Sequence, residues 1–275
     1  MLGKRILTAL IGVPIAVYVI NYGEWLFAAA VLVLTLLAWH EFYMMLQNKN
    51  IKVFYSLGII INIFILGCAW LGNTQEIAFL IFLCTLLTLL KIVSSGTKFT
   101  VADAAFSLLG ITYIGMSFAH LLLLRSTDKS LYLMTSWGEL SAGAAYVWLA
   151  FVGTWASDTF AYFVGSYFGR HKLCPKISPN KTIEGALGGM LGSIFALILL
   201  GMLFKLPISH CAVMGLLVGI VAPIGDLVES AMKRFAGVKD SGHILPGHGG
   251  ILDRFDSILF TVPAVYYYMH TFVLR

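Results

Sequence analysis

The chain has 275 residues, of which 59% are hydrophobic and 11% are charged, and its formal net charge at pH 7 is +5. A mean hydropathy of +0.89 excludes an ordinary soluble globular protein, because a soluble domain of this length needs far more polar surface to cover its core. The composition is typical of an integral membrane protein, whose apolar side chains can face lipid. The positive charge fits loops at a membrane surface, and it also fits attraction to anionic headgroups or phosphates.

Nine uncharged stretches predict transmembrane helices, since each backbone segment in hydrocarbon must satisfy its own hydrogen bonds. In chain order they cover residues 6–23, 25–40, 53–75, 77–90, 104–124, 140–157, 185–204, 206–225 and 257–274. Stretch 77–90 is the shortest, and a re-entrant or buried helix is the alternative there. The predicted fold class is all-α: a polytopic membrane protein of about nine transmembrane helices with a cytosol-facing polar cavity.

The distribution of basic residues predicts the orientation. With nine spans, fourteen of the eighteen Lys and Arg residues fall on one side of the membrane, and the positive-inside rule makes that side cytoplasmic. We therefore expect a multi-pass protein of a bacterial-type inner or plasma membrane, with the amino terminus inside and the carboxyl terminus outside. Residues 1–275 are predicted to form a single membrane domain, in which residues 1–125 supply amino-terminal helices and residues 140–275 supply catalytic helices.

The densest polar segment is residues 230–256, SAMKRFAGVKDSGHILPGHGGILDRFD. Just before and within it, Asp226, Ser230 and Lys233 are spaced by four and three residues, so a continuing helix places them on one face. Pro246 and the glycines around His248 do not continue a helix and predict a tight turn.

Further acidic residues follow that turn. Asp253 and Asp256 are spaced by three residues, so the turn is expected to bring two acidic faces together. Carboxylates beside Lys and Arg suit magnesium-dependent phosphoryl or nucleotidyl transfer, because hard oxygen ligands hold the ion while cations neutralise phosphate oxygens. The alternative is a solvated loop of surface salt bridges and topology-setting charges.

A second polar connection spans residues 169–184, and its last part belongs to the run SPNKTIEG, residues 178–185. Ser178, Lys181 and Thr182 precede an apolar helix, and a helix amino terminus with a nearby lysine favours phosphate binding. The alternative is that Thr182 or Ser178 is a helix cap and that Lys181 is a topology anchor.

Two features lie within the apolar stretches. Asp158 is a carboxylate flanked by apolar residues, which indicates a functional site lining the same cavity; a position at the cytosolic boundary of the membrane is the alternative. Gly188 and Gly192 allow close helix packing, either inside the protein or across a dimer.

Residues 230–256 resemble the carboxy-terminal signature of the phosphatidate cytidylyltransferase family, also called CDP-diacylglycerol synthases. The residues that carry this resemblance are Ser230, Lys233, Arg234, Lys239, Asp240, Pro246, His248, Gly249, Gly250, Asp253, Arg254 and Asp256. SPNKT and the Ser157–Asp158–Thr159 run are similar to two further elements of the family.

The resemblance implies transfer of a cytidylyl group from CTP to phosphatidic acid, with Mg²⁺ as cofactor and a membrane lipid as partner. A second, monovalent cation and a homodimer are additional expectations, and no nucleic-acid partner is expected. The expected metal ligands are Asp226 and Asp253, with Asp256 either a third ligand or an orienter of Arg254 or of the metal-bound water. Asp158 is a candidate further ligand.

The remaining site residues fall into two expected groups. The catalytic group contains Lys233, Arg234, Lys239, Asp240, His248 and Arg254. The group expected to bind CTP or phosphate contains Ser178, Lys181, Thr182, Glu184 and Ser230. His248 either donates a hydrogen bond to pyrophosphate or braces the glycine turn.

Other functions remain as alternatives at this point. A CTP-dependent lipid kinase of the polyprenol type shares the nucleotide but transfers the γ-phosphoryl group. An ion-coupled transporter would use Asp158, Asp226 and Glu229 along an ion path, but it has no need of SPNKT or of the charged turn. A CDP-alcohol phosphotransferase is disfavoured because the sequence has no DGxxAR run.

Overall fold

The computed structural model describes residues 2–128, 130–135, 138–244, 247 and 249–274, without the side chains of residues 2–9 and 11. The described chain is predominantly helical, as predicted, and divides into two compact units. Unit 1 comprises Met1–Leu123 and Lys233–Arg254, and unit 2 comprises Leu124–Met232 and Phe255–Arg275. Residues 233–254, which carry much of the charged segment, group with the amino-terminal helices, and the single membrane domain stays a prediction.

Unit 1 is built from the first helices of the chain. They are α1 (Leu2–Tyr22), α2 (Glu24–Gln47), α3 (Tyr55–Leu71), α4 (Thr74–Ser95), α5 (Val101–Gly110) and most of α6 (Ser117–Arg125), with a π-helical segment at Ile111–Met116. Trp39 and Phe42 of α2 are fully buried and stack with ring centroids 6.0 Å apart. The indole Nε1 of Trp39 donates to the Tyr55 carbonyl at 3.1 Å, which fixes the start of α3 against α2.

The start of α5 is set by a capping box. The Thr100 Oγ1 accepts the Asp103 N–H at 3.2 Å, and the Asp103 carboxylate accepts the Thr100 N–H at 2.7 Å. Asp103 also accepts the Lys52 N–H at 2.7 Å. These bonds satisfy backbone donors that the first turn of a helix leaves unpaired, so the loop before α3 is tied to α5.

Unit 2 contains the later helices and two short hairpins. Its elements are β1 (Tyr132–Thr135), β2 (Gly138–Ser141), α7 (Ala142–Phe168), β3 (Lys172–Cys174), β4 (Ser178–Thr182), α8 (Ile183–Phe204), α9 (Ile208–Ala236) through Met232, α11 (Ile258–Tyr268) and a π-helical segment at Met269–Val273. The short α10 (Leu252–Phe255) ends in this unit. The core includes a hydrogen bond of 2.9 Å between the hydroxyls of Thr154 and Thr261.

Helix α8 packs on α7 through its glycines. A Cβ added at Gly188 would lie 2.5 Å from Cβ of Val164, and one added at Gly189 would lie 2.7 Å from the Ser157 carbonyl oxygen. Such distances leave room only for hydrogen, so the helices approach more closely than any other residue would allow. Of the two interpretations of the Gly188–Gly192 spacing, the structure shows packing inside the chain.

Five helical segments of the described chain are long and apolar enough to cross a membrane. They are Glu24–Gln47, Thr74–Ser95, Val101–Arg125, Ile183–Phe204 and Ile208–Ala236; shorter apolar helices are Gly12–Tyr22, Tyr55–Leu71 and Ile258–Val273. The predicted stretch 77–90 belongs to α4, which has 22 residues. That helix exposes large apolar side chains such as Phe79 and Val93, which are suited to lipid contact.

The two hairpins lie outside the predicted all-α class. Strand β1 pairs antiparallel with β2, and β3 pairs antiparallel with β4 with a register shift between Lys172 and Cys174. Both hairpins occupy connections between apolar helices, where three to five residues per strand give too short a run for an alternating pattern to be recognised.

Candidate active site

A cavity of about 520 Å³ lies within unit 2, and its walls come from α7, the β3–β4 hairpin, the start of α8 and α9. Its volume is in the range of small-molecule sites, about 300–1,000 Å³. Five residues predicted from the sequence as site residues line it together: Asp158, Ser178, Lys181, Thr182 and Asp226. Asp158 and Asp226, which are 68 positions apart in the chain, are thus brought to one polar chamber.

An ion pair crosses this cavity. The Lys181 ammonium contacts Oδ2 of Asp226, and the two side chains keep 25% and 29% of their exposure. Oδ1 of the same carboxylate accepts the Ser230 hydroxyl at 3.3 Å, one turn further along α9. The predicted continuation of this helix past residue 225 is confirmed, because α9 runs to Ala236. Because both side chains are partly exposed, the lysine and the aspartate can each leave the other to bind a ligand of opposite charge.

Thr182 ends β4 and caps α8. Its Oγ1 accepts the Gly185 N–H at 3.1 Å, and the residue is 6% exposed. The cap interpretation of Thr182 is therefore confirmed. Because the cap fixes the strand-to-helix junction, it also sets the position of Lys181 immediately before it.

Glu184 lies outside the residues that line the cavity. Its carboxylate accepts the N–H groups of Arg170 at 3.1 Å and His171 at 3.2 Å, and Oε1 lies 2.6 Å from Nδ1 of His171. These contacts hold the segment between α7 and β3 against the start of α8. The role of Glu184 as a substrate ligand stays a prediction.

Asp256 is placed beside α9 in unit 2. A Cβ added at Gly225 would lie 2.6 Å from the Asp256 carbonyl oxygen and 3.0 Å from Cα of Ser257. The Asp256 turn therefore packs directly against the residue that precedes Asp226. Its carboxylate accepts the Ser257 N–H at 2.7 Å.

Unit 1 holds a second ion pair. The Lys233 ammonium donates to Oδ1 of Asp253 at 2.7 Å, with side chains 13% and 6% exposed. Oδ2 of Asp253 accepts the Ser241 N–H and hydroxyl, each at 2.9 Å, and the Gly250 N–H at 2.8 Å. Burial alone would raise the pKa of Asp253, but the Lys233 ammonium and the backbone donors outweigh it and lower the pKa.

The glycine turn that precedes Asp253 has the predicted non-helical backbone in its described residues. Gly247 and Gly249 have φ angles of 80° and 85°, a region that residues with a Cβ rarely adopt. A Cβ at Gly249 would also lie 2.6 Å from Oδ2 of Asp253. Pro246 and His248 lie outside the described residues, and the two roles suggested for His248 stay open.

The remaining predicted catalytic residues are surface residues of unit 1. Arg234, Lys239, Asp240 and Arg254 are all exposed. The Arg234 guanidinium donates to the Val238 carbonyl at 3.4 Å. The three basic side chains are suited to contacts with phosphate or lipid headgroups, and the roles of all four residues stay predictions.

The predicted Mg²⁺ site requires carboxylates that lie close together in the structure. Within the described part of the chain, no cluster of three or more His, Cys, Asp or Glu side chains is arranged as a metal-ligand set. The cavity nevertheless brings together Asp158 and Asp226. This donor chemistry fits Mg²⁺, which proteins commonly hold through one or two carboxylates, with substrate phosphates and water completing the shell.

Three residues that line the cavity or bond to the charged segment were not predicted from the sequence as site residues. Asn180 lines the cavity between Ser178 and Lys181, and its place in SPNKT was a usable signal. Ser241 bonds to Asp253 and follows Asp240 in the charged segment. Glu41 contacts this segment across about 200 positions of sequence, so no local spacing could have indicated it.

Comparison with known proteins gives the family. The model of the cytidylyltransferase family matches residues 3–272. A phosphatidate cytidylyltransferase of a Synechocystis species is 36% identical, over 97% of this chain and 96% of the relative. Proteins of the same name from Staphylococcus haemolyticus and Bacillus subtilis are 37% and 33% identical, over 94% and 98% of this chain and 95% and 98% of their own lengths. The chain therefore belongs to the cytidylyltransferase family.

Proposed function

We propose that this chain transfers the cytidylyl group of CTP to phosphatidic acid, forming CDP-diacylglycerol and pyrophosphate. The observation that carries the proposal is the Lys181–Asp226 pair in a cavity that also contains Asp158 and Ser178. A lysine and two carboxylates together in one chamber suit a reaction between two polyanions. The name phosphatidate cytidylyltransferase, carried by relatives that align over nearly the whole chain, supports the same reaction.

In the proposed reaction, a phosphate oxygen of phosphatidic acid forms a bond to the α-phosphorus of CTP. The bond from that phosphorus to the oxygen bridging the β-phosphate breaks, and pyrophosphate leaves with the bonding electrons. Both substrates are anionic, so their approach requires fixed positive charge. Lys181 supplies such charge by passing from Asp226 to a phosphate oxygen, and Ser178 and Thr182 lie beside it.

We assign Asp226 and Asp158 to hold Mg²⁺, with Ser230 orienting Asp226 through its hydroxyl. Bound Mg²⁺ would neutralise charge on the phosphate oxygens. Asp253 and Asp256 as ligands stay predictions, as does a second, monovalent cation. The two oxygens of Asp253 already accept four hydrogen bonds, one of them from Lys233, which suits a carboxylate that orients an ammonium group.

We further propose nine membrane spans in a bacterial-type plasma membrane, with the cavity open to the cytoplasm. The charge distribution and the cytosolic supply of CTP support this orientation. Lys176 lies exposed in the β3–β4 hairpin. A Lys176→Cys variant that lacks the native cysteines therefore reports which side of the membrane this hairpin faces. A membrane-impermeant maleimide should label inverted vesicles and not right-side-out ones; the reverse pattern would overturn the orientation. A homodimer stays a prediction.

Labelled CTP tests the reaction directly. Purified protein is given phosphatidic acid with CTP labelled either in the base or in the γ-phosphate, with and without Mg²⁺. Base label should enter the lipid only when Mg²⁺ is present, and γ label should appear in pyrophosphate. Entry of γ label into a lipid would instead identify a lipid kinase, and ion flux through liposomes without CTP turnover would identify a transporter.

A further inference from the structure

Glu41 is a carboxylate on the apolar helix α2 that is buried to 3% exposure. A carboxylate in such a place is costly unless donors surround it. Here Oε1 accepts the Ile251 N–H at 2.8 Å, while Oε2 accepts the Leu252 N–H at 2.9 Å and the Ser241 hydroxyl at 3.3 Å. Three donors converge on two oxygens, which suits a carboxylate, because an amide in the same place would present N–H to one of these donors.

These contacts hold the amino-terminal turn of α10. Three consecutive backbone N–H groups are taken up by two carboxylates: Gly250 donates to Asp253, and Ile251 and Leu252 donate to Glu41. The glycine turn therefore does not offer these amides to a phosphate. Its amides serve instead to lock the segment onto α2.

The chain makes room for this carboxylate with glycine. A Cβ added at Gly242 would lie 2.6 Å from Oε1 of Glu41, and one added at Gly250 would meet Oε2 of Glu41 and the Ser241 hydroxyl. Two separate parts of the charged segment thus pass against the same side chain. Through contacts with Glu41, both parts of the charged segment pack against the amino-terminal helices.

Glu41 is linked to the Lys233–Asp253 pair through one shared residue. The Ser241 hydroxyl lies 3.3 Å from Oε2 of Glu41 and 2.9 Å from Oδ2 of Asp253. Its single proton is shared between the two acceptors. The other oxygen of Asp253 holds the Lys233 ammonium at 2.7 Å. The direction of Lys233 therefore depends on Asp253, and the placement of Asp253 depends on the turn that Glu41 fastens.

We propose that Glu41 is a positioning residue for cytidylyl transfer, which fixes the Lys233–Asp253 pair by holding the backbone of Ile251 and Leu252. The proposal rests on the proposed function, because it takes Lys233, one of the residues predicted from the sequence to be catalytic, as a contact to a substrate phosphate in that reaction. Glu41 touches neither substrate. It acts by keeping the ammonium in one orientation during the reaction, as residues behind a directly binding group commonly do.

The test compares Glu41→Gln with Glu24→Gln, an exposed glutamate on the same helix. Glutamine keeps the size of Glu41 but cannot accept from both Ile251 and Leu252. We expect kcat of Glu41→Gln to fall about 10- to 100-fold, while Glu24→Gln behaves as wild type. Hydrogen–deuterium exchange should quicken in residues 249–255 of Glu41→Gln, with other segments unchanged.

A second variant covers the case in which Glu41→Gln does not fold. Ser241→Ala removes the shared hydroxyl but keeps the Ser241 N–H bond to Asp253, so we expect a smaller loss of kcat in the same direction. Wild-type kcat in Glu41→Gln, or in Ser241→Ala when that alone folds, would overturn the proposal. A loss of kcat with uniformly faster exchange would also overturn it, because it indicates general destabilisation.

The exchange measurement separates this proposal from the proposed function. If the wild-type protein does not transfer CMP to phosphatidic acid, the proposed function fails. Faster exchange confined to residues 249–255 would then still establish that Glu41 fastens the turn. Unchanged exchange in that segment would reject the positioning role whatever the wild-type activity is.

Discussion

The ammonium of Lys181 is paired with the carboxylate of Asp226 inside the cavity of unit 2. Lys181 reaches this place from β4, one residue before the cap of α8, and Asp226 reaches it from the interior of α9. A partly exposed ion pair contributes little to stability. The pair is therefore better understood as a binding arrangement, in which each partner is kept ready for a ligand of opposite charge.

Asp226→Asn tests the acidic partner. The change keeps the shape of the side chain but removes the charge that faces Lys181 and, in the proposed function, Mg²⁺. We expect CMP incorporation into phosphatidic acid to fall by at least about 100-fold, while membrane insertion is unaffected. Asp128→Asn is the matched control, since Asp128 is exposed in the same unit and asparagine tolerates its positive φ. Near-normal turnover of purified Asp226→Asn would contradict the role assigned to Asp226.

Lys181→Met tests the basic partner. Methionine preserves much of the apolar stem but has no ammonium, so kcat/KM for CTP should drop by about 100-fold. Lys176→Met is the control, because Lys176 lies in the same hairpin but outside the residues that line the cavity. Steady-state kinetics at saturating phosphatidic acid measure both. Equal losses in the two variants would show that general positive charge, rather than Lys181 itself, supports the reaction.

Local spacing predicted some of these relationships and could not predict others. Asp226 and Ser230 are four residues apart in a helical pattern, so their hydrogen bond follows from helix geometry. The spacing did not say which lysine pairs with which aspartate, since Lys181 and Asp226 are brought together only by packing. Glu184 lies in the first turn of α8, within the segment predicted to bind CTP or phosphate, yet its carboxylate accepts the N–H groups of Arg170 and His171.

Long-range packing also decided the roles of the small residues. The Gly188–Gly192 spacing is equally suited to an intramolecular and an intermolecular contact. Only the position of Val164 and Phe160 on α7 decides between the two.

The sequence around Glu41 is that of an interfacial residue at the end of a predicted span. Its partners Ile251 and Leu252 lie 210 and 211 positions away, beyond the reach of any periodicity.

Thr182→Ala tests the cap of α8. Loss of the bond from the Gly185 N–H to Oγ1 should lower the free energy of unfolding by about 1 kcal/mol. Thr182→Ser keeps the hydroxyl and should stay close to wild type. Thermal unfolding in detergent compares the three proteins. If serine and alanine destabilise equally, the lost methyl contact rather than the cap sets the stability.

Gly189→Ala tests the contact between α7 and α8. The added Cβ would lie 2.7 Å from the backbone oxygen of Ser157, and backbone cannot turn aside as a flexible side chain can. We expect a loss of about 1–3 kcal/mol in the free energy of unfolding, with reduced turnover because Ser157 and Asp158 line the cavity. The control Gly67→Ala lies on α3, where nothing is within 4 Å of the new Cβ. It should be neutral or slightly stabilising, so an equal loss in both variants would contradict close packing at Gly189.

Asp253→Asn tests the second ion pair through pH. Because Lys233 and the backbone donors hold the folded-state pKa of Asp253 below its ordinary value of 3.8, its contribution to stability is fully present above that value. It is lost as the pH falls through the lowered pKa. At pH 7 the variant leaves the Lys233 ammonium, only 13% exposed, without its carboxylate, and we expect a loss of ~3 kcal/mol together with loss of turnover.

The melting temperatures of wild type and Asp253→Asn should therefore stay apart by a constant amount from pH 7 to about pH 5 and converge below about pH 4. Convergence begins there because the unfolded chain takes up the proton first, and it is complete only below the lowered pKa of folded Asp253, where the wild-type side chain is protonated and, like asparagine, no longer balances Lys233. Asp240→Asn, an exposed aspartate of the same segment, should melt much closer to wild type at pH 7. A gap that widens as the pH falls would mean that the carboxylate destabilises the fold, which is the opposite of what its four donors require.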